Sequence, residues 1–326
     1  MSYATIQSSQ DTPYYFNFGT GDSSWQLTEV LADRLSSEPV SFNDIKARNR
    51  EFTILRGNNR DLKYQPTRFT GCNPNLSNNV DKYLLKMGQE PYNKKILELN
   101  LSGCRIYNKD LLANFPNLTS LNISNNGIDN MEALAISKLT NLTSLDISDG
   151  QISVDGAKAI SKMKGLTSLN ISTNTIGPEA FLAISNLTNL TSLNISSNSI
   201  GPEGAVPISK LTKLTSLDIS RNRLSYKASP DYSHPSNLSV LAISNLTKLT
   251  SLNISKNWLL PQAALAISKM KGLTSLDISE NVIGDEGAKD ISKLTRLISL
   301  DIRGNVIGDE GAQALSKLTR LTSAPM

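Results

Sequence analysis

The sequence predicts an α/β solenoid, with parallel strands lining a concave face, helices on the convex face, and a non-repeating cap at the N-terminus. Three observations lead there. The segment L-T-S-L-[ND]-I-S-x-N recurs with first leucines at Leu118, Leu142, Leu166, Leu190 and Leu214, each 24 residues from the last. Within each copy apolar and polar residues alternate, as on a half-buried strand. Between copies, apolar residues fall at helical spacing. A period of this length means one supersecondary unit per repeat, each burying its apolar face only by stacking on its neighbours.

The strands come first. In Leu121-Asn122-Ile123-Ser124 the two aliphatic residues point one way and the two polar residues the other. A degenerate first copy starts at Ile96. After a gap of 35 residues the series resumes at Leu249, Leu273 and Leu297, with a truncated copy at Leu321, which makes nine strand-bearing copies and a partial tenth. Just beyond each strand comes a recurring Asn: Asn126, Asn174, Asn198, Asn222, Asn257, Asn281 and Asn305, with Cys104 in the first copy and Gly150 in the third. A buried amide must be hydrogen-bonded, so these residues are expected to stack as a ladder against turn backbone. At Gly150 the ladder is broken, and a water or a slight kink is expected there.

The helices follow. In the copy from Gly284 to Leu294, Asp285 and Glu286 suit a helix start, and Ala288, Ile291 and Leu294 line one helical face. Gly201-Pro202-Glu203 places proline in a first turn. Lysines and arginines gather on this helix side, as a solvated outer surface.

The repeating unit N-x-I-G-x-E-G-A-x-A-[IL] resembles the ribonuclease-inhibitor-like class of leucine-rich repeats, over roughly residues 96–326. In particular it is similar to the GALA-type proteins of pathogenic bacteria; Gly311-Ala312-Gln313-Ala314-Leu315 and Gly156-Ala157-Lys158-Ala159-Ile160 match their signature best. The resemblance implies a leucine-rich-repeat horseshoe and a secreted effector that binds a host protein or another effector. It does not imply an enzyme.

Residues 1–80 lack the period and read as an N-terminal region or cap, covering apolar surface and strand edges at the start of a repeat domain spanning residues 81–326. Within them, Leu27-Thr28-Glu29-Val30-Leu31 and Asn49-Arg50-Glu51-Phe52 faintly resemble the start and end of an F-box, although Thr28 stands where that module has proline. On that alternative, residues 24–56 join a ubiquitin ligase and the repeats present its target.

Composition narrows the function. A net charge of +4 from 33 basic and 29 acidic residues argues against nucleic acid or an anionic membrane as partner. Two cysteines are too few for a disulfide framework, and one histidine, His234, leaves triads and zinc sites with a single candidate residue. No cofactor or metal is expected. The polar start MSYATIQSSQ reads as no secretory signal. Asn-x-Ser triplets at Asn122, Asn170, Asn194 and Asn253 lie inside predicted strands, where a glycan would obstruct the sheet. A cytoplasmic location follows, or delivery by a bacterium into host cytosol without a cleaved signal.

A monomeric chain with another protein as partner is the expected form. Most of the concave face is uniform Thr, Ser, Asn and Asp, so the partner-binding residues are sought where repetition fails. The residues on either side of the ladder Asn vary, and the long side chains arrive together: Arg221, Arg223, Lys256 and Trp258, with Glu280 beside them. Between the same copies lie eleven extra residues, within 225–237, carrying Tyr226 and Tyr232. Arginine, tryptophan and tyrosine dominate binding hot spots, because they bring large contact areas at modest entropy cost.

Overall fold

The computed structural model describes the backbone of four short strands before residue 71, isolated positions between 81 and 94, and residues 96–322 apart from 105, 107 and 226–237. The F-box-like stretch beyond Ser24, the insertion residues Tyr226, Tyr232 and His234, and Cys72 lie outside the described residues. The chain forms two compact units, residues 1–126 and 127–326.

In the first unit, β1 (Tyr3–Gln7), β2 (Pro13–Asn17) and β3 (Ser23–Ser24) form an antiparallel sheet. A second sheet begins with β4 (Arg68–Thr70), which pairs in parallel with β5 (Glu98–Asn100), and β5 pairs with β6 (Ser120–Asn122). β4 falls outside the 24-residue period, so no repeat pattern marks it. It nevertheless occupies the open edge of the first repeat strand, where unpaired backbone would invite non-native pairing. Cys104 is disulfide-bonded. The spacing of the two cysteines does not announce that bond.

The second unit carries seven parallel strands: β7 (Ser144–Asp146), β8 (Ser168–Asn170), β9 (Ser192–Asn194), β10 (Ser216–Asp218), β11 (Ser251–Asn253), β12 (Ser275–Asp277) and β13 (Ser299–Asp301). Register is strict: Leu193 lies beside Leu217, and Leu217 beside Leu252. The pairing across the insertion is therefore the same as elsewhere, although 35 residues separate those strands instead of 24. Each strand buries its central Leu and leaves the flanking Ser and Asn or Asp half-exposed.

Opposite the sheet lie α1 (Asn130–Ile136), α2 (Val154–Ile160), α3 (Gly177–Ile184), α4 (Gly201–Gly204), α5 (Leu238–Ser244), α6 (Pro261–Ile267), α7 (Gly284–Ile291) and α8 (Asp309–Leu315). α4 stops after one turn and gives way to a 3-10 segment, Val206–Lys210, in which Pro207 has no N–H to offer an α-helical bond. Helix capping passes between repeats. Asp285, expected to favour its own helix, instead accepts hydrogen bonds from the N–H groups of Gly308 (2.7 Å) and Gly311 (3.0 Å), at the start of α8. Its carboxylate meets the positive end of the next repeat's helix. Asn130 does the same for Ser153 and Gly156 at the start of α2.

The ladder is built as the sequence predicts. Asn222 Nδ2 donates to the carbonyls of Ile195, Ile219 and Ser220, while its Oδ1 accepts from the N–H groups of Asn198 and Ile200. Five backbone groups in two repeats are thus satisfied by one buried amide. Gly150 breaks the ladder in the third copy, as the sequence shows. Its N–H donates to the Thr173 carbonyl at 3.3 Å, and a Cβ there would lie 2.7 Å from the Ile128 carbonyl oxygen. A side chain at this position would press on that carbonyl.

Candidate functional site

Each repeat turns sharply between strand and helix, and the turn has a fixed backbone. The residue before the ladder Asn takes a positive φ: Asp149, Thr173, Ser197, Arg221, Lys256 and Glu280 all lie between 52° and 57°, and Gly304 at 66°. This left-handed conformation is therefore a demand of the fold, met by glycine or by side chains that tolerate strain. Backbone bonds set successive turns side by side, from Arg221 N to Ser255 O (3.0 Å), Lys256 N to Ser279 O (3.0 Å) and Glu280 N to Arg303 O (2.8 Å).

Two rows result along the turn edge. Arg221, Lys256 and Glu280 occupy the position before the Asn in three adjacent repeats. Lys256 and Glu280 are paired, Nζ to Oε1 at 2.6 Å, and both are partly exposed. Arg221 and Arg223 are exposed, and neither has an ion pair among the described residues. After the Asn come Arg223, Trp258, Val282 and Val306 in four adjacent repeats. Trp258 is 48% exposed, Val282 47% and Val306 81%. The ladder pins their neighbours: Asn222 N and Leu224 N both donate to Asn257 Oδ1, and Asn257 N and Leu259 N to Asn281 Oδ1.

The structure thus brings together Arg221, Arg223, Lys256, Trp258 and Glu280 on one edge. It also adds two residues that sequence reasoning passed over, Val282 and Val306. Their signal was present, because aliphatic residues stand in a column that holds Gln151, Thr175 and Ser199 in earlier repeats. Exposure, which the pattern does not report, makes them part of the surface. Arg223, Trp258 and Val306 also take positive φ, at 59°, 57° and 56°, where Gly127 stands in an earlier repeat. A β-branched side chain in this region is strained, and strain of this kind gathers at working sites.

The sheet face offers less. Its Ser and Asx side chains satisfy one another. Ser220 Oγ and N–H donate to Asp218 Oδ1, and Asn253 Nδ2 to Asp218 Oδ2. Asp301 is neutralised by Arg303 through two hydrogen bonds, and the guanidinium holds its carboxyl below the usual range. These carboxylates are occupied by repeat geometry rather than poised as an acid–base pair. Among the described residues no cluster of three or more His, Cys, Asp or Glu is placed to hold a metal ion, and no helix is long and apolar enough to cross a membrane.

Known proteins share this architecture. An internalin from Listeria monocytogenes superposes with a TM-score of 0.58 at 26% identity, over 72% of this chain and 62% of the internalin. Internalin C2 of the same species gives 0.50 at 23% identity, covering 65% of this chain and 82% of that one. The ectodomain of the Arabidopsis receptor kinase HAESA, solved with a peptide hormone ligand, gives 0.52 at 22% identity over 70% of this chain and 38% of its own. The chain therefore spans less than two thirds of the first and last of these. A search of curated proteins returned no match. A family model described as a leucine-rich repeat region matches residues 95–326, the whole span of the period. With that match, the strict strand register and the recurring Asn ladder, the chain belongs to the leucine-rich-repeat family.

Proposed function

We propose that this protein is a non-catalytic binding module that grips another protein along the turn edge formed by Arg221, Arg223, Lys256, Trp258, Glu280, Val282 and Val306. One observation carries the reading. Three adjacent repeats expose Trp258, Val282 and Val306, two of them on strained backbone, where polar residues or glycine would cost less. Two guanidiniums without ion pairs among the described residues lie at one end of that apolar row and a bridged Lys–Glu pair runs beside it, as in an interface with a desolvated centre and a polar rim. Tyr226 and Tyr232, in the insertion that follows Arg223, extend the same epitope.

A bacterial source, and the role of an effector or surface protein acting on a host partner, is supported by the Gly-Ala-x-Ala-Leu signature at residues 311–315 and by the likeness to an internalin. The Cys104 disulfide favours an oxidising compartment over the cytoplasm. The strand asparagines oppose a glycosylating one. Asn170 Nδ2 donates to Asp146 and Ser148, so a sugar there would break the sheet-face network. A bacterial exterior satisfies both conditions.

Capture of a partner from host and bacterial lysates, followed by titration, tests the reading. Trp258→Ala should weaken binding of the captured partner by about 2 kcal/mol, as expected of a central aromatic anchor. Unchanged affinity in both Trp258→Ala and Arg221→Ala would remove this edge from the interface.

A further inference from the structure

The lysines and arginines expected over the outer helix surface gather at one edge of the second unit, in the loops that lead from each helix to the next strand. Eight such loops between residues 137 and 320 carry twelve Lys or Arg and no Asp or Glu. Acids gather at the opposite, N-terminal ends of the helices, as Asp155, Glu179, Glu203, Asp285 and Asp309 do. The net charge of +4 conceals this separation. Nine of the twelve cations fall in the last five loops, so the edge is most basic from residue 209 onward. Backbone bonds set these loops side by side, from Thr250 N to Thr215 O (2.9 Å), Thr274 N to Thr250 O (2.9 Å), Ile298 N to Thr274 O (2.8 Å) and Thr322 N to Ile298 O (2.9 Å). At a strand spacing of about 4.8 Å the five loops run about 19 Å.

The cations form two rows. Lys210, Lys269, Lys293 and Lys317 stand at the ends of their helical segments, where positive charge suits the helix dipole. Helix stability accounts for this outer row, and Lys293 is also paired with Asp290 at 2.6 Å. It does not account for the inner row. Lys213, Lys248, Arg296 and Arg320 stand three residues further on, beside the strand start. Asn117 and Asn189 show what the fold can use at this position: each side-chain amide donates to a carbonyl of the preceding repeat, on Lys94 (2.7 Å) and Lys164 (2.9 Å). Later repeats give up that bond for a long cation. Lys213 reaches the Asn189 Oδ1. The side chains of Lys248, Arg296 and Arg320 are exposed, with no partner among the described residues. Beside these cations Thr212, Thr247, Thr295 and Thr319 are exposed, while the apolar residues of the same loops, Leu211, Leu246, Met270, Leu294 and Leu318, are buried.

We propose that this edge binds a sulfated linear polysaccharide, which lies along the loops and is held by Lys213, Lys248, Lys271, Arg296 and Arg320. Charge complementarity fixes the sign of the ligand, and the arrangement selects its class. Cations repeat along a line at the strand spacing, which fits a polymer that carries anions at intervals. Two cations in most of these loops call for more than one anion per sugar ring, as sulfation supplies and a single uronate does not. Threonine hydroxyls beside the cations can bond the hydroxyls of a sugar. The planar guanidiniums of Arg296 and Arg320 match two oxygens of one sulfate group. Other polyanions find less here. These loops hold no aromatic residue on which nucleobases could stack, and no exposed apolar side chain to enter a bilayer. The edge lies at the opposite ends of the strands from Arg221 and Trp258, so this inference does not rest on the protein-binding reading.

Calorimetric titration of the full chain with a size-fractionated heparin oligosaccharide tests it. The wild type should bind, and its affinity should fall about a hundredfold between about 50 and 200 mM salt, as when about five cations release counterions from a single-stranded polyanion. Arg296→Glu with Arg320→Glu should raise the dissociation constant about tenfold or more. Arg320→Glu alone should weaken binding, whereas Lys158→Glu, the same charge change at an exposed helix position off this edge, should leave it unchanged. Thermal midpoints of these variants should match the wild type, because the altered side chains are exposed. Fully desulfated heparin should not bind. Absence of heparin binding at low salt, equal losses in Arg320→Glu and Lys158→Glu, or equal affinity for the desulfated polymer overturns the proposal. Tighter binding of duplex DNA or of phosphatidylserine vesicles through the same two arginines would assign the edge to that ligand and equally overturn it.

Discussion

Val306 shows how a single residue can be costly to the fold and informative about use. Its φ of +56° lies in the left-handed region and its side chain is 81% exposed, so neither conformation nor burial accounts for valine. Asparagine tolerates this conformation without the entropy cost of glycine. Val306→Asn should therefore raise unfolding free energy by about 0.5–1 kcal/mol, measured by urea denaturation, while weakening partner binding. A variant that loses both stability and affinity would show that valine is held by packing instead. Gly150 is the opposite case. The ladder pattern recommends asparagine, but its Cβ would lie 2.7 Å from the Ile128 carbonyl oxygen. At this scale the sequence reveals type and position, and only the neighbouring backbone reveals whether a side chain fits.

Between elements, the Asn ladder couples one strand–helix turn to the next. Asn222 is fully buried and serves five backbone groups drawn from two repeats. Replacing it with alanine leaves those groups without partners and without water. Asn222→Ala should cost about 3 kcal/mol or more in urea unfolding, several times the net value of one hydrogen bond. A loss below about 1 kcal/mol would mean that the turn relaxes to satisfy itself. The helix caps carry a related lesson. Asp285 reads in sequence as a local cap, because acidic residues suit a helix N-terminus. In the folded chain the nearest unsatisfied N–H groups belong to the following repeat, 23 and 26 residues on. Local preference identified the chemistry; stacking chose the recipient.

For the molecule as a whole, the insertion is the largest departure from repetition, yet the stack does not register it. Strands β10 and β11 pair in the ordinary register, and Asn222 N reaches Asn257 Oδ1 at 2.8 Å across the gap. Deleting residues 227–237 restores the 24-residue spacing between these copies. The deletion should leave unfolding as one transition, with stability within about 1 kcal/mol of wild type, because loop-closure entropy changes slowly with length. Binding should fall if the tyrosines belong to the epitope. A large loss of stability on deletion would make the insertion part of the core and remove its functional reading.

What the sequence determined by itself is whatever depends on period. A repeat of strand and helix can bury its apolar face only against copies of itself. The 24-residue spacing therefore implies the parallel sheet, the buried leucines, the ladder and the candidate turn edge. Tertiary structure decided what depends on neighbours that the period does not specify. It placed β4 beside the first repeat strand, turned Asp285 toward the next helix, and left Val282 and Val306 exposed beside Trp258. Each of these is a contact or an exposure set by stacking, and no residue's own identity encodes which side chain will stand opposite it.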